Sequence, residues 1–355
     1  MRLPGTTWGR LALIVPVFGA MIALFIWRGP DWTLVADAFR FVAWQWVVAA
    51  IALNLLSVLA RAGAWERVIE QAMPPPTPRF RTVFSAFGVG LFANAVLPGR
   101  IGELARVAVL TRRQPRRSDA WATLVGTVFA HRVFDLFPTL LLIGYVLATA
   151  KIPHWALTSL LIFVAVGFGV FAFALASARG KHHRSVLEEA GRVRRLVTMA
   201  RHGLGVMRAP VPAAQAALLQ CAGWTCQLVA VWAAMRAFDI HAPLPAAGLV
   251  LVLMNVAMLF PLWPGNVGLV QAAIALPLVS YGVDYPKGFA YGIGLQAIEM
   301  SVGVGVGLIF LAREGLSFAM LKRMPGAEQA EVAPADEEED DLIDEPARAR
   351  ARLSG

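Results

Sequence analysis

The chain has 355 residues, 58% of them in the apolar set that runs from Ala to Cys and only 15% Asp, Glu, Lys or Arg, whereas a soluble domain has about 45–50% apolar residues with glycine included and about 25% charged ones. The formal charge of +9 combines two unlike regions: residues 1–325 carry 29 Lys/Arg against 13 Asp/Glu, and residues 326–355 carry 3 against 10. Such a composition excludes a disordered chain, a disulfide-stapled secreted domain and a soluble enzyme, and leaves an all-α polytopic membrane protein.

In chain order, Leu11–Trp27 reads as a first, uncleaved span and Phe41–Ala60 as a second, each close to the roughly 20 apolar residues that cross a bilayer. Thr82–Leu110 is apolar but broken at Pro98-Gly99, so it is expected as two short helices forming a re-entrant hairpin. Asp119–Ala150 and Trp155–Ala178 follow as spans, then a basic loop over 179–208 that suits an anionic inner leaflet. Ala213–Phe238 is the fifth span. Leu244–Ser280, broken at Pro264-Gly265, is a second candidate hairpin, and Gly288–Ala312 the sixth span. The domain reading is a membrane domain over 1–325 and a disordered, acidic, cytoplasmic tail over 326–355, with Asp336 to Asp341 an unbroken acidic run.

Charge assigns the sides. With both termini cytoplasmic, the inward segments carry 23 Lys/Arg and the outward ones five, namely Arg28, Arg40, Lys151, Arg236 and Lys287. The asymmetry matches the positive-inside rule for a multi-pass protein of the bacterial inner (cytoplasmic) membrane. It also explains the pI of 10.3 without a nucleic-acid partner. The first hairpin then enters and leaves on the cytoplasmic side and the second enters from outside. Two short likenesses agree: 97–102 aligns with 263–268 at an offset of 166, and 119–126 with 287–294 at an offset of 168. The expectation is six spans and two oppositely oriented hairpins in an inverted repeat, with units of about 41–150 and 213–312, a plan that recurs in transporters.

Half-helix ends inside a membrane expose unpaired backbone groups, so the hairpins nominate the site. After the first break stand Arg100, Glu103 and Arg106, a spacing that pairs Glu103 with Arg106 on a helix. Their guanidinium groups suit an anionic head group; the bland alternative is an interfacial cluster that only orients the hairpin. Arg132 and Asp135, with His131 beside them, fall mid-span, where ionisable groups point to function unless they merely neutralise each other. Glu299 aligns with His131 in the repeat and reads either as a proton-titrating group or as a partner for Arg132. Asn94 and Gln271 adjoin the breaks, whereas Asn54, Gln220, Asn255 and Gln296 read as interhelical glue. The sequence has no G-x-S-x-G, HExxH, Walker A or C-x-x-C motif, and Cys221 and Cys226 fall on different faces of one helix. No catalytic, cofactor or metal set is therefore expected.

The run from Asn94 through Pro98, Gly99, Arg100, Gly102 and Glu103 to Arg106 reads N-x-x-x-P-G-R-x-G-E-x-x-R. Together with His131-Arg-Val-Phe-Asp135 and Pro264-Gly265-Asn266-Val-Gly268, it resembles the lysylphosphatidylglycerol synthase transmembrane region, or flippase-like domain, over roughly residues 10–315. The resemblance implies movement of phospholipids or related lipids between leaflets. Fused members of that family carry a cytoplasmic aminoacyl-transferase domain; here 43 residues follow Ala312, so lysyltransferase activity is not expected. Relatives commonly have Gly and Glu where this chain has Asn266 and Gln271.

The leading expectation is a flippase-like transporter for membrane lipids with anionic head groups. Arg100 and Arg106 would receive the head group, Arg132 and Asp135 would pass it on, and Asn266, Gln271 and Glu299 would release it. A rival is a membrane-embedded transferase acting on a lipid-linked substrate, although the outward acids Asp31, Asp37, Asp239 and Asp284 are widely separated in sequence. A homo-oligomer and a partner for the acidic tail complete the expected associations.

Overall fold

The computed structural model describes residues 30–96, 101–114, 117–153, 157–158, 209–259 and 266–313. All regular structure among them is helical: α1 Trp32–Arg40, α2 Trp44–Ala72, α3 Phe80–Val96, α4 Gly102–Thr111, α5 Arg117–Thr149, α6 Pro210–Ala237, α7 Leu244–Leu259, α8 Leu269–Val279 and α9 Tyr285–Arg313. Four of these, α2, α5, α6 and α9, are long and apolar enough to cross a membrane. They correspond to four of the six expected spans. Leu11–Trp27, most of Trp155–Ala178 and the acidic tail lie outside the described residues.

One span end and one short helix differ most from the sequence reading. The second span runs on to Ala72 rather than stopping at Ala60, because Arg61, Glu66, Arg67 and Glu70 lower the hydropathy without breaking the helix, and the first real breakers are the prolines from Pro74. The short helix α1 was not expected at all. Asp31 caps it by accepting from Thr33 N (2.9 Å), and that bond with the Thr33 hydroxyl, the larger influence, holds the carboxyl below its ordinary pKa.

Interhelical contacts give the helix directions. Ala43 N donates to Ala237 O (2.9 Å), the Trp46 and Trp232 rings meet edge-on at 5.9 Å, and Gly63 faces Leu219, so α2 and α6 are antiparallel along their length. Phe84 against Phe310 and Gly303 against Leu91 make α3 and α9 antiparallel. Gly90 against Arg106, with Asn94 against Gly102, folds α4 back along α3. Gly288 against Ala275 and Gly292 against Gln271 set α8 antiparallel to α9. On the other side, α7 packs on α5 through Gly248, which faces Val146 and Leu142.

Small residues make these approaches possible, as expected where lipid removes the hydrophobic drive between helices. One buried cluster joins α2, α3, α4 and α9 around Trp65, Val89 and Leu110; another joins α6 to α9 around Leu251, Ile274 and Tyr291. Large apolar side chains stay exposed along one stripe of α5, at Phe129, Val133, Leu136, Phe137, Leu140 and Leu141. A stripe of that width at membrane depth is a lipid-facing surface.

A Cβ at Gly307 would stand 2.2 Å from Phe92 Cβ and 2.9 Å from the Gly88 carbonyl, whereas one at Gly303 would meet nothing closer than 3.9 Å. Gly307→Ala is therefore expected to cost about 1–3 kcal/mol by overpacking. Gly303→Ala should cost less than about 0.5 kcal/mol. Thermal melts in mild detergent check this, and equal melting temperatures for the two variants would contradict the packing described.

Candidate functional site

Asp135 sits on α5, is only 7% exposed and gathers donors from three helices. Its Oδ1 accepts from Gln220 Nε2 (2.9 Å) and Trp224 Nε1 (3.0 Å) on α6, and from Arg61 Nη2 (3.3 Å) on α2. Its Oδ2 takes Arg132 Nη1 at 3.1 Å, one helical turn away. A carboxylate so supplied can stay ionised away from water, which an isolated one cannot. The stacking of Arg61 over the Trp224 ring (5.0 Å) adds a cation–π contact.

From Asp135 the charges continue toward the first break. Arg132 also pairs with Glu103 on α4, and Glu103 in turn pairs with Arg106. Arg106 is 4% exposed and held between the faces of Trp65 (4.5 Å) and Phe87 (5.3 Å), and the Trp65 indole is itself fixed by donation to Thr127 (3.1 Å). The result is an alternating ladder, Arg106, Glu103, Arg132, Asp135, Arg61, that ties α4, α5 and α2 together, with α6 joined through Gln220 and Trp224. Its members differ in setting. Arg106 is enclosed, whereas the Arg132 side chain is 49% exposed, between Phe129 and Val133 of the apolar stripe on α5.

The break itself is organised by the residues that the motif singles out. Asn94 Oδ1 accepts from Gly102 N (2.9 Å), satisfying a free amide at the start of α4. Gly102 has to be glycine, since a Cβ there would lie 2.0 Å from the Gly90 carbonyl and 2.6 Å from Asn94. Glu103 falls in the first turn of α4, where the helix dipole favours a negative charge. The second break is built alike with different side chains. Gln271 Oε1 accepts from Gly268 N (2.6 Å) at the start of α8, and Asn266 Nδ2 donates to Ala257 O (3.0 Å) on α7. Asn266 has φ of 45° and Gly268 of 92°, a left-handed region in which Gly is easiest and Asn is the best-tolerated alternative.

Glu299 does not join the ladder as a hydrogen-bonded member. It accepts from Gln227 Nε2 (2.8 Å), and Gln227 Oε1 takes a bond from Ser57 (3.4 Å) one turn before Arg61. Gln271 also donates to Gln296. Of the expected site residues, Asn94, Gly102, Glu103, Arg106, Arg132 and Asp135 thus come together, Asn266, Gly268 and Gln271 organise the second break, and Glu299 stands on α9 with Gln227 as its donor. Pro98, Gly99, Arg100, Pro264 and Gly265 lie outside the described residues.

Sequence reasoning missed Arg61, Trp65 and Trp224, and read Gln220 only as glue. The signal for Arg61 was present: Ser57, Arg61, Ala64 and Val68 share the α2 face that meets α5 and α6. Gly223 was a second signal, since a Cβ there would stand 2.9 Å from Arg61 Cγ. Among the described residues no cluster of three His, Cys, Asp or Glu has metal-site geometry, and both cysteines are free.

A family profile for the lysylphosphatidylglycerol synthase TM region matches residues 8–307. The chain belongs to this family. No curated protein and no solved structure gives a significant match. The family match covers the transmembrane region of the family and carries a membrane- and lipid-related role. Of the residues in the run from Asn94 to Arg106, Asn94, Gly102, Glu103 and Arg106 lie in the closely approached α3–α4 pair, with Arg106 at one end of the ladder.

Asp135→Leu strands four donors, two of them guanidinium groups, and is expected to cost about 3–5 kcal/mol. Arg61→Met leaves Asp135 its bonds from Arg132, Gln220 and Trp224, and should cost about 1–3 kcal/mol. Detergent melts of the two variants and their double mutant test this order; a costlier Arg61→Met would refute the assignment of Asp135 as the hub.

Proposed function

We propose that the protein is a flippase-like lipid transporter of the inner membrane, moving a phospholipid or related lipid with an anionic head group between leaflets. The observation that carries this reading is the half-exposed Arg132, a permanent charge in the lipid-facing stripe of α5 and continuous with a buried ladder of charge. Glu103 and Asp135 already pair with this guanidinium, and its exposed side can also take the phosphate of a lipid head group sliding in sideways while the acyl chains stay in the bilayer. The described ladder holds three arginines against two carboxylates, which favours an anionic guest.

The helix directions support an inverted repeat of α2–α5 and α6–α9. Under exchange of the two sets, α3 on α9 becomes α7 on α5, and α3 with α4 becomes α7 with α8. The pairs α2 with α6, and α4 with α8, run in opposite directions. On this reading α3–α4 and α7–α8 are re-entrant hairpins entering from the cytoplasmic and outer sides, and both termini are cytoplasmic. Arg100 and Arg106 receive the head group, Arg132 and Asp135 pass it, and the second break near Asn266 and Gln271, with Glu299, releases it. Gln271 keeps the capping bond that a glutamate would make without the negative charge that would repel an anion, so on this reading the outer end can hold one by backbone amides.

The test is head-group-labelled lipid in proteoliposomes of the full chain. Arg132→Ala and Glu103→Gln are each expected to slow transfer at least about tenfold, the loss of one charge-assisted contact, as is Arg100→Ala. Wild-type rates in all three would sink the reading. A chemically altered lipid product would favour the transferase instead.

A further inference from the structure

The end of the molecule remote from the ladder carries a cavity that this path does not use. It lies between the start of α2 and the end of α6, has a volume of about 580 Å³, and is lined by Phe41, Trp46, Trp232, Arg236, Asp239 and His241 among others. The charge distribution of the loops puts this end outward.

The charges in the cavity are unevenly matched. Asp239 is the nearest acid in sequence to Arg236, yet its carboxylate is engaged by Lys287 Nζ (3.3 Å) and His241 Nδ1 (3.4 Å), and its carbonyl also accepts from Lys287 (2.9 Å). Among the described residues no ion pair joins Arg236 to a carboxylate. Its guanidinium lies over the Trp232 ring at 4.8 Å, and its Nε is buried without a hydrogen-bond partner. Trp232 meets the edge of Trp46, and Ala43 and Ala237, joined by a backbone bond, also line the cavity.

A positive side chain in the last turn of a helix complements the helix dipole, and that alone would account for a basic residue at this position. It does not account for the cavity that the side chain lines or for its buried, unsatisfied Nε, which ordinary packing avoids. The rim adds a third feature. Phe41 is 80% exposed and Trp44 71% exposed, as aromatic residues are at the head-group level of a bilayer.

We propose that this cavity binds the phosphate of an outer-leaflet phospholipid. The Arg236 guanidinium takes the phosphate oxygens as charge-assisted hydrogen bonds, and Phe41 and Trp46 lie against the glycerol and the upper acyl chains. The site is separate from the ladder. It rests on the lipid-transport reading only for the choice of a lipid as the ligand.

The experiment uses the full chain in nanodiscs containing phosphatidylglycerol with a photoreactive group at the glycerophosphate, and adducts are mapped by peptide mass spectrometry. Wild type is expected to give adducts within 41–46 and 232–241. Arg236→Gln should reduce them about tenfold, and Arg236→Lys, which keeps the charge but not the fork, should fall between. Adducts around 129–136 report on the ladder and should not change. Absence of adducts at the cavity in wild type, or equal yields in Arg236→Gln, overturns the proposal whether or not the ladder is labelled. Suppression of the cavity adducts by millimolar glycerol 3-phosphate would overturn the lipid assignment in favour of a soluble phosphate ester; persistence of the adducts supports it.

Discussion

The arrangement depends on one carboxylate. Asp135 lies where water is scarce, and it remains there because donors from α2, α5 and α6 converge on its two oxygens. Ionic bonds of this kind fix helix register more reliably than apolar contacts do in a medium as apolar as the side chains. Through Arg132 and Glu103 the same constraint reaches α4, so the position of the first break and the crossing of the long helices are set together. Arg106 is then locked from the far side by Trp65 and Phe87.

The glycines of the chain make this network geometrically possible. Gly223 lets the Arg61 stem lie against α6, Gly90 and Gly102 bring α3 and α4 to backbone contact, and Gly88 and Gly307 do the same for α3 and α9. At both breaks a side-chain amide oxygen accepts from the backbone at a helix start, Asn94 at one and Gln271 at the other. The two breaks share this capping chemistry and differ in charge: Glu103 and Arg106 stand beyond the first, while the first turn of α8 has no acid. That difference makes the first break charged and the second neutral.

Much of this was legible in the sequence. Hydropathy and proline placement located four long helices and both broken stretches, because each signal is local: a run of apolar residues or a missing backbone donor. The pairing of Glu103 with Arg106 followed from helical spacing, and the mid-span position of Arg132 and Asp135 marked them by cost alone. Arg61 was lost because a hydropathy count treats a charge as an ending, whereas a helix stops only at a breaker or a cap. Trp224 and Trp65 carry no sequence signal for their roles; an indole that donates to a buried acceptor is indistinguishable in sequence from one that fills a core. The α1 helix was missed because nine residues are too few for periodicity to stand out. Glu299 was legible as an unpaired acid, but its donor, Gln227, comes from a helix 72 residues away in sequence.

Under the proposed function the exposed member of the ladder, Arg132, receives an anionic lipid head group from the side. Purification of the full chain in mild detergent followed by quantitative lipid mass spectrometry tests it most directly, with wild type compared against Arg132→Gln and against Leu140→Gln on the same lipid-facing stripe. The account predicts an anionic phospholipid bound to wild type and to Leu140→Gln and depleted about tenfold in Arg132→Gln, the loss expected for one charge-assisted contact. Equal retention in all three proteins, or retention of neutral lipids alone, would contradict it.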